Sequence, residues 1–258
     1  MDDNKIRITW YGTASVRISA GSSQLLIDPF FPYPDSKIKV NENAFENCSN
    51  ILVSHGHYDH ISSINRIICK STKVFCTETP YQTLLKKGIN KRNLCKIHAG
   101  SVFKIGDFKI TAYKGKHIRF SIKMILKTLL TKRMLINRSG IITKILNFAS
   151  FPEKGETLCY LIEAYGKRII ILGSLALAEN TVYPISADLA LFPYQGIINI
   201  HKTASELISR LKPKSILLTH FDDTFPPFSS EIDTTIFEKH MKGRVPVFKL
   251  KHGGTIEI

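Results

Sequence analysis

Ser54-His55-Gly56-His57-Tyr58-Asp59-His60 follows directly on the apolar run Ile51-Leu52-Val53 and precedes isoleucines at helical spacing, Ile61, Ile64, Ile67 and Ile68. That order reads as strand, turn, helix, with the helix over 61–70. Three imidazoles and a carboxylate crowd into six residues, and the imidazoles would repel one another if protonated. Neutral imidazole with carboxylate suits a borderline divalent ion such as Zn²⁺, which removes the conflict. A surface His cluster or an Asp–His helix cap is the bland alternative. His55 and His57 lie two apart, so an extended backbone points both to one side. Asp59 and His60 begin the following turn and helix and face a second position. The spacing thus predicts two adjacent metal positions, and four side chains are too few for both. Later strand ends must contribute.

Upstream, residues 5–9, 15–18 and 24–27 are strand-like and separated by the turn signals Gly12 and Gly21-Ser22-Ser23, which predicts a meander. Downstream, 74–76 reads as a strand and Thr79-Pro80 as a helix start. Residues 103–110 alternate around Gly106-Asp107, a hairpin pattern. Strand-like runs return at 157–163, 167–172, 189–192, 215–219 and 245–250. Thr203-Ala204-Ser205-Glu206 has the form of a capping box opening a helix that ends near Leu211. Strand-rich halves that each carry helices predict an α/β chain, its sheets packed face to face with helices outside.

The 258 residues, 43% hydrophobic and 22% charged, suffice for a sizeable core and exclude collagen, coiled coil and disorder. No run of 18 apolar residues occurs, so no membrane span is expected. The start, Met1-Asp2-Asp3-Asn4-Lys5, has no apolar leader, and five cysteines without a C-x-x-C suit reduced thiols. The expected location is cytoplasmic.

Thirty-six Lys and Arg against 21 Asp and Glu give a net charge of +15, which concentrates anions: nucleic acid, anionic lipid headgroups or phosphorylated metabolites. The excess peaks at 118–152, where Arg119, Lys123, Lys127, Lys132, Arg133, Arg138 and Lys144 occur with no Asp or Glu. Ile122, Ile125, Leu126, Leu129, Leu130 and Met134 recur there at helical spacing, a basic amphipathic helix. It reads as a cap on the core, a membrane-surface or lipid contact through 118–146, or a dimer contact. Nucleic-acid binding fits the charge but lacks an aromatic stacking motif.

With S/T-H-x-H-x-D-H at 54–60, the chain resembles the metallo-β-lactamase superfamily along most of its length. The resemblance implies one domain over 1–258, a four-layer αββα sandwich of two mixed β-sheets, with 118–152 as a basic insertion. It also implies that Asp28, in Leu26-Ile27-Asp28-Pro29, supports the metal loop, and that His117 and His220 are the later ligands. One metal set is then His55, His57 and His117, and the other Asp59, His60 and His220. Asp59 and His220 are carried as catalytic, Asp59 to orient a water or accept its proton. Segments 188–196 and 220–226 resemble most the branch containing L-ascorbate 6-phosphate lactonase. The implied cofactor is a divalent metal, zinc first with manganese or iron as alternatives, in one or two ions.

One position departs from the family pattern. A metal-bridging Asp is usual after a strand-end Gly, and here Gly173 is followed by Ser174. A hydroxyl is a far weaker ligand than a carboxylate, so Ser174 marks an altered bridging position, with Glu179 and Asp188 the nearest downstream carboxylates. Two functions compete. One is a hydrolase using a metal-activated water on an anionic small-molecule ester, lactone or phosphodiester. The other is a non-catalytic or catalytically altered metal-binding or sensor protein. His98, His201, His240 and His252 read as surface or structural, although His201 could line the cleft.

Overall fold

The computed structural model describes residues 4–118, 141–195, 197 and 199–258. One sheet runs, edge to edge, β14 (Thr255–Glu257), β1 (Ile6–Gly12), β2 (Ser15–Ala20), β3 (Ser23–Ile27), β4 (Asn50–Leu52), β5 (Lys73–Cys76) and β6 (Leu94–Lys96). The second runs β13 (Val247–Phe248), β12 (Ile216–Thr219), β11 (Leu189–Pro193), β10 (Lys167–Leu172), β9 (Leu158–Ala164), β8 (Phe108–Lys114) and β7 (Val102–Ile105). Both are mixed: β1–β3 pair antiparallel and β3–β6 parallel, while β7–β10 pair antiparallel and β10–β13 parallel. The meander and the hairpin are both present.

Alternation explains the inner faces. Ile6, Ile8 and Trp10 of β1 and Ile18 of β2 point inward and share one core cluster with Ile110 of β8, Ile162 of β9 and Ile170 of β10. The middle strands β11 and β12 are buried on both sides, which is why they read as continuous apolar runs. Helices close the outer faces. Tyr81 and Leu84, from the helix Glu78–Lys86, pack on Ile51 and Val74 beneath one sheet. Ala204, Leu207, Ile208 and Leu211 of the helix Ile200–Leu211 cover the other. The expected pair of sheets flanked by helices is thus observed.

Three local expectations change. The helix expected over 61–70 is two four-residue turns, Tyr58–Ile61 and Ile64–Ile67. Between them the Ser63 hydroxyl accepts the Phe31 amide and pins the chain to the preceding loop. The helix expected to start at a Thr203 cap begins at Ile200, because Asn199 takes a left-handed backbone and turns the chain three residues earlier. Of 245–250, only Val247–Phe248 joins the sheet, along β12. The amphipathic pattern over 122–134 lies outside the described residues. Among the described residues, no helix is long and apolar enough to cross a membrane.

Candidate metal centre

The strands that carry the candidate residues all end at one edge of the sandwich. Asp28 follows β3, His55 follows β4, His117 follows β8, Ser174 follows β10 and His220 follows β12. Strand C-termini are where a sheet presents loops to a ligand. His55, His57 and His117 bring one ligand atom each to within 4.8 Å of one another, and Asp59, His60 and His220 do the same beside them. The rings of His55 and His60, one from each set, lie 3.8 Å apart between centroids.

Donor spacings test whether an ion fits. Ligands at about 2.0–2.1 Å from a tetrahedral zinc lie roughly 3.3 Å from one another. His55 Nε2 and His57 Nδ1 are 3.1 Å apart. Asp59 Oδ2 is 2.9 Å from His220 Nε2 and 3.5 Å from His60 Nε2. Both sets therefore fit a divalent ion by spacing and by donor type. Buried His220 Nδ1 has no hydrogen-bond partner among the described residues, a cost in a site closed to all but protein.

Ring orientation is fixed from behind. His117 Nδ1 lies 2.6 Å from the Ile118 carbonyl, so Nδ1 carries the proton and Nε2 the lone pair. Asp28 accepts the Ser54 amide through Oδ1 at 2.7 Å and pairs with His60 Nδ1 through Oδ2 at 2.8 Å. The Ser54 hydroxyl stands between the sets, 3.0 Å from His55 Nδ1 and 3.2 Å from His60 Nδ1. His220 is held by its backbone: its amide donates to Thr13 O, and the Thr13 amide donates to both oxygens of Asp222. Asp28 and His220 both take left-handed backbone conformations. Such strain costs on the order of 1–3 kcal/mol per residue and persists only where surroundings over-determine it, as these hydrogen bonds do.

Charge follows the same division. Burial, reinforced by the neighbouring imidazoles, lowers His55 well below its usual pKa. Burial and then His117 bring His57 down to about 4. Burial also lowers His117. This trio is neutral at pH 7, the form that ligates. In the second trio burial would raise Asp59, but His60 and the His220 hydrogen bond outweigh it and hold the carboxyl below its usual range. Burial would lower His60, but Asp59 and Asp28 push it up.

Close backbone approach sets two glycines. A Cβ on Gly56 would stand 2.3 Å from Pro152 O, and one on Gly173 would stand 2.3 Å from Leu158 O. Ser174 is buried beside the site, where its Oγ accepts the Ile118 amide at 3.1 Å. It thus steadies the residue after His117. Neither alternative carboxylate replaces it. Glu179 is 79% exposed and paired with Lys116, while Asp188 binds Lys214 and the Arg168 amide.

The remaining histidines stand outside both sets. His98 and His240 are exposed, and His201 is exposed on its helix. His252 is structural, stacked on Trp10 and paired with Asp222 at 2.8 Å. Two supports were not singled out by sequence reading. Glu153 accepts the Thr157 amide and hydroxyl, and its charge partly opposes the lowering that burial imposes on His57 and His117. Asp222 anchors the turn that carries His220; its only sequence signal is the Gly12-Thr13 turn opposite, 209 residues away.

Residues 7–220 match a family model described as a beta-lactamase superfamily domain. A UPF0173 metal-dependent hydrolase of Koribacter versatilis is 26% identical over 231 residues, 88% of this chain and 88% of its own. Another, of Pyrobaculum islandicum, is 24% identical over 261 residues, 98% of this chain and 100% of its own. Among solved structures, the metallo hydrolase Igni18 of Ignicoccus hospitalis shares the fold at a TM-score of 0.66 and 18% identity, covering 98% of each chain.

Proposed function

Because this chain belongs to the β-lactamase superfamily, we propose that it is a metal-dependent hydrolase acting on an anionic small-molecule ester, lactone or phosphodiester. The observation that carries this reading is the meeting of two ligand trios, drawn from loops up to 165 residues apart, at one strand-end edge. A divalent ion held there would supply Lewis acidity, for activating a water and polarising the substrate oxygen. His55, His57 and His117 would hold one ion, and Asp59, His60 and His220 a second. His57, His117 and His220 are only partly buried, so substrate approaches from their side. Asp59, fixed between His60 and His220, orients the attacking water. The net charge of +15 raises the local concentration of an anionic substrate. The resemblance of segments 188–196 and 220–226 to the branch containing L-ascorbate 6-phosphate lactonase favours ring opening of a phosphorylated lactone.

The test is hydrolysis of bis-p-nitrophenyl phosphate and simple lactones by protein loaded with zinc, manganese or iron. Turnover lost on His55→Ala supports the proposal, and turnover indifferent to that change refutes it. A second reading is a metal-binding protein without turnover, and Ser174 favours it, since among the described residues no shared carboxylate ties the two sets together. Bound metal with no hydrolysis of any probe would select it.

A further inference from the structure

His220 is presented by strained backbone at φ 59°, and Thr13, reaching it from the other sheet, is strained in the same way at φ 48°. The two are tied together. The Thr13 carbonyl accepts the His220 amide at 2.7 Å and the Trp10 indole N–H at 2.9 Å. The Thr13 amide donates to both oxygens of Asp222 at 3.0 Å, and its hydroxyl bonds that of Thr224 at 2.7 Å. Asp222 therefore holds Thr13, and Thr13 holds His220.

His252, 30 residues beyond Asp222, holds that carboxylate in turn. Buried charges are kept only where they are paired. Asp222 is buried, and among the described residues no Lys or Arg pairs with it. His252 Nε2 lies 2.8 Å from its Oδ2, so Nε2 carries a proton in the neutral ring as in the charged one. The ring is itself fixed. It stacks on Trp10 at 4.7 Å between centroids, and Trp10 stacks on Phe221, the residue after His220, at 4.8 Å. Lys249 Nζ lies 4.8 Å from the centre of the Phe221 ring, and backbone bonds from Trp10 to Gly253 and Gly254 seat the turn that carries His252. A Cβ on Gly12 would stand 2.9 Å from Asp222 Oδ2 and 3.0 Å from His252 Cδ2, so the end of β1 leaves its space to this pair.

We propose that His252 is a positioning residue for the second metal set. Through Asp222 and Thr13 it fixes the backbone that aims His220 at Asp59, so that this set's grip on an ion depends on the turn before β14. Ligating groups must be held to within about 0.5 Å of their working geometry, and a released turn does not do so. The first set takes its orientation elsewhere, from the Ser54 hydroxyl and the Ile118 carbonyl, and is indifferent to His252. The inference rests on the metal-binding part of the hydrolase reading and is independent of turnover.

Competition between the zinc-loaded whole chain and a chromogenic chelator reads the two sets as separate steps. His252→Ala should weaken the step that His220→Ala removes by about tenfold, the lower end of what losing a group that orients a ligand costs, and leave the other step within about twofold. His252→Gln, whose amide can still donate to Asp222, should recover most of that loss. Coupling between two places in a molecule is reciprocal, so filling the second set should slow hydrogen exchange at the Gly253 amide, which donates to Trp10 O, by about the same tenfold. Filling the first set alone should not. A His252 that serves only the packing of the chain gives another pattern: a lower Tm with both steps shifted alike or not at all, and a Gly253 amide indifferent to the second ion. That pattern overturns the proposal. If no ion loads at the second set, the hydrolase reading fails, and positioning is still read in the metal-free chain. There the ¹⁵N resonance of His220 Nε2, which lies 2.9 Å from Asp59 Oδ2, should move in His252→Ala and return in His252→Gln. A resonance that stays in place in His252→Ala overturns the proposal.

Discussion

His55 and His117 are oriented by uncharged groups, the Ser54 hydroxyl and the Ile118 carbonyl, whereas His60 is clasped between the carboxylates of Asp28 and Asp59. The first set is three neutral bases whose carboxylate neighbour Glu153 is too weak to offset burial. The second is already interlocked, its carboxylate bonded to His220 and close to His60. A cation arriving at the first set meets lone pairs at little electrostatic penalty, while one arriving at the second must displace contacts that Asp59 makes with His60 and His220. Ser174 sharpens the difference, since its hydroxyl serves the Ile118 amide on the first set's side. Two trios at one strand-end edge are therefore unequal, and the first should hold its ion more tightly.

The largest effects test that inequality directly. His55→Ala should lower kcat/KM on bis-p-nitrophenyl phosphate by more than about 100-fold, beyond the 10–100-fold typical of losing a group that only orients a ligand. It should also remove the tightly held ion from elemental analysis. His220→Ala should leave that ion in place. Equal depletion by the two variants would dissolve the distinction. Next in size, Ser174→Asp should tighten a second ion by about tenfold or more by restoring a carboxylate beside both sets. Metal retained after dialysis against a chelator is the readout, and unchanged retention would show that the missing carboxylate is not what limits the second set. Asp28→Asn removes the charge behind His60 and should weaken metal affinity by about 10–100-fold, chiefly at the second set.

How much of this was legible in the sequence depends on chain distance. His55 through His60 announce themselves because their spacing is local, and strand alternation in β1 or β8 is local too. His117 and His220 carry no such signal; only resemblance to a superfamily pointed to them, and tertiary structure brings them to the same edge. The helix start was misplaced because Thr203-Ala204-Ser205-Glu206 satisfies a local rule, while the backbone turns at Asn199. Ser63 breaks the expected helix through a contact with Phe31, 32 residues upstream. The role of Ser174 was half legible: its identity signals a lost ligand, but its bond to Ile118 depends on how β8 and β10 end.

Smaller effects refine the comparison. Gly173→Ala would press a Cβ to 2.3 Å from Leu158 O and 3.0 Å from Ser54 Cβ. Overpacking of this kind costs about 1–3 kcal/mol, to be read as a lower Tm, and it should disturb both trios because Ser54 touches each. An unchanged Tm would show that the strand ends yield more easily than their packing implies.

Ser54→Ala should have the smallest effect, and it divides the two sets most finely. The hydroxyl lies near Nδ1 of both His55 and His60, but His60 keeps its shorter contact with Asp28 when the hydroxyl goes. Among the described residues, no carboxylate stands behind His55. Losing one neutral hydrogen bond is worth about 1 kcal/mol, roughly fivefold in affinity, and that loss should fall on the first set alone. Competition with a chromogenic chelator resolves it, since ions held with different affinities leave at different chelator concentrations. A shift confined to the tighter step agrees with His55 depending on Ser54. A shift confined to the weaker step would mean that Asp28 cannot hold His60 unaided, and the two sets would then lean on the same hydroxyl.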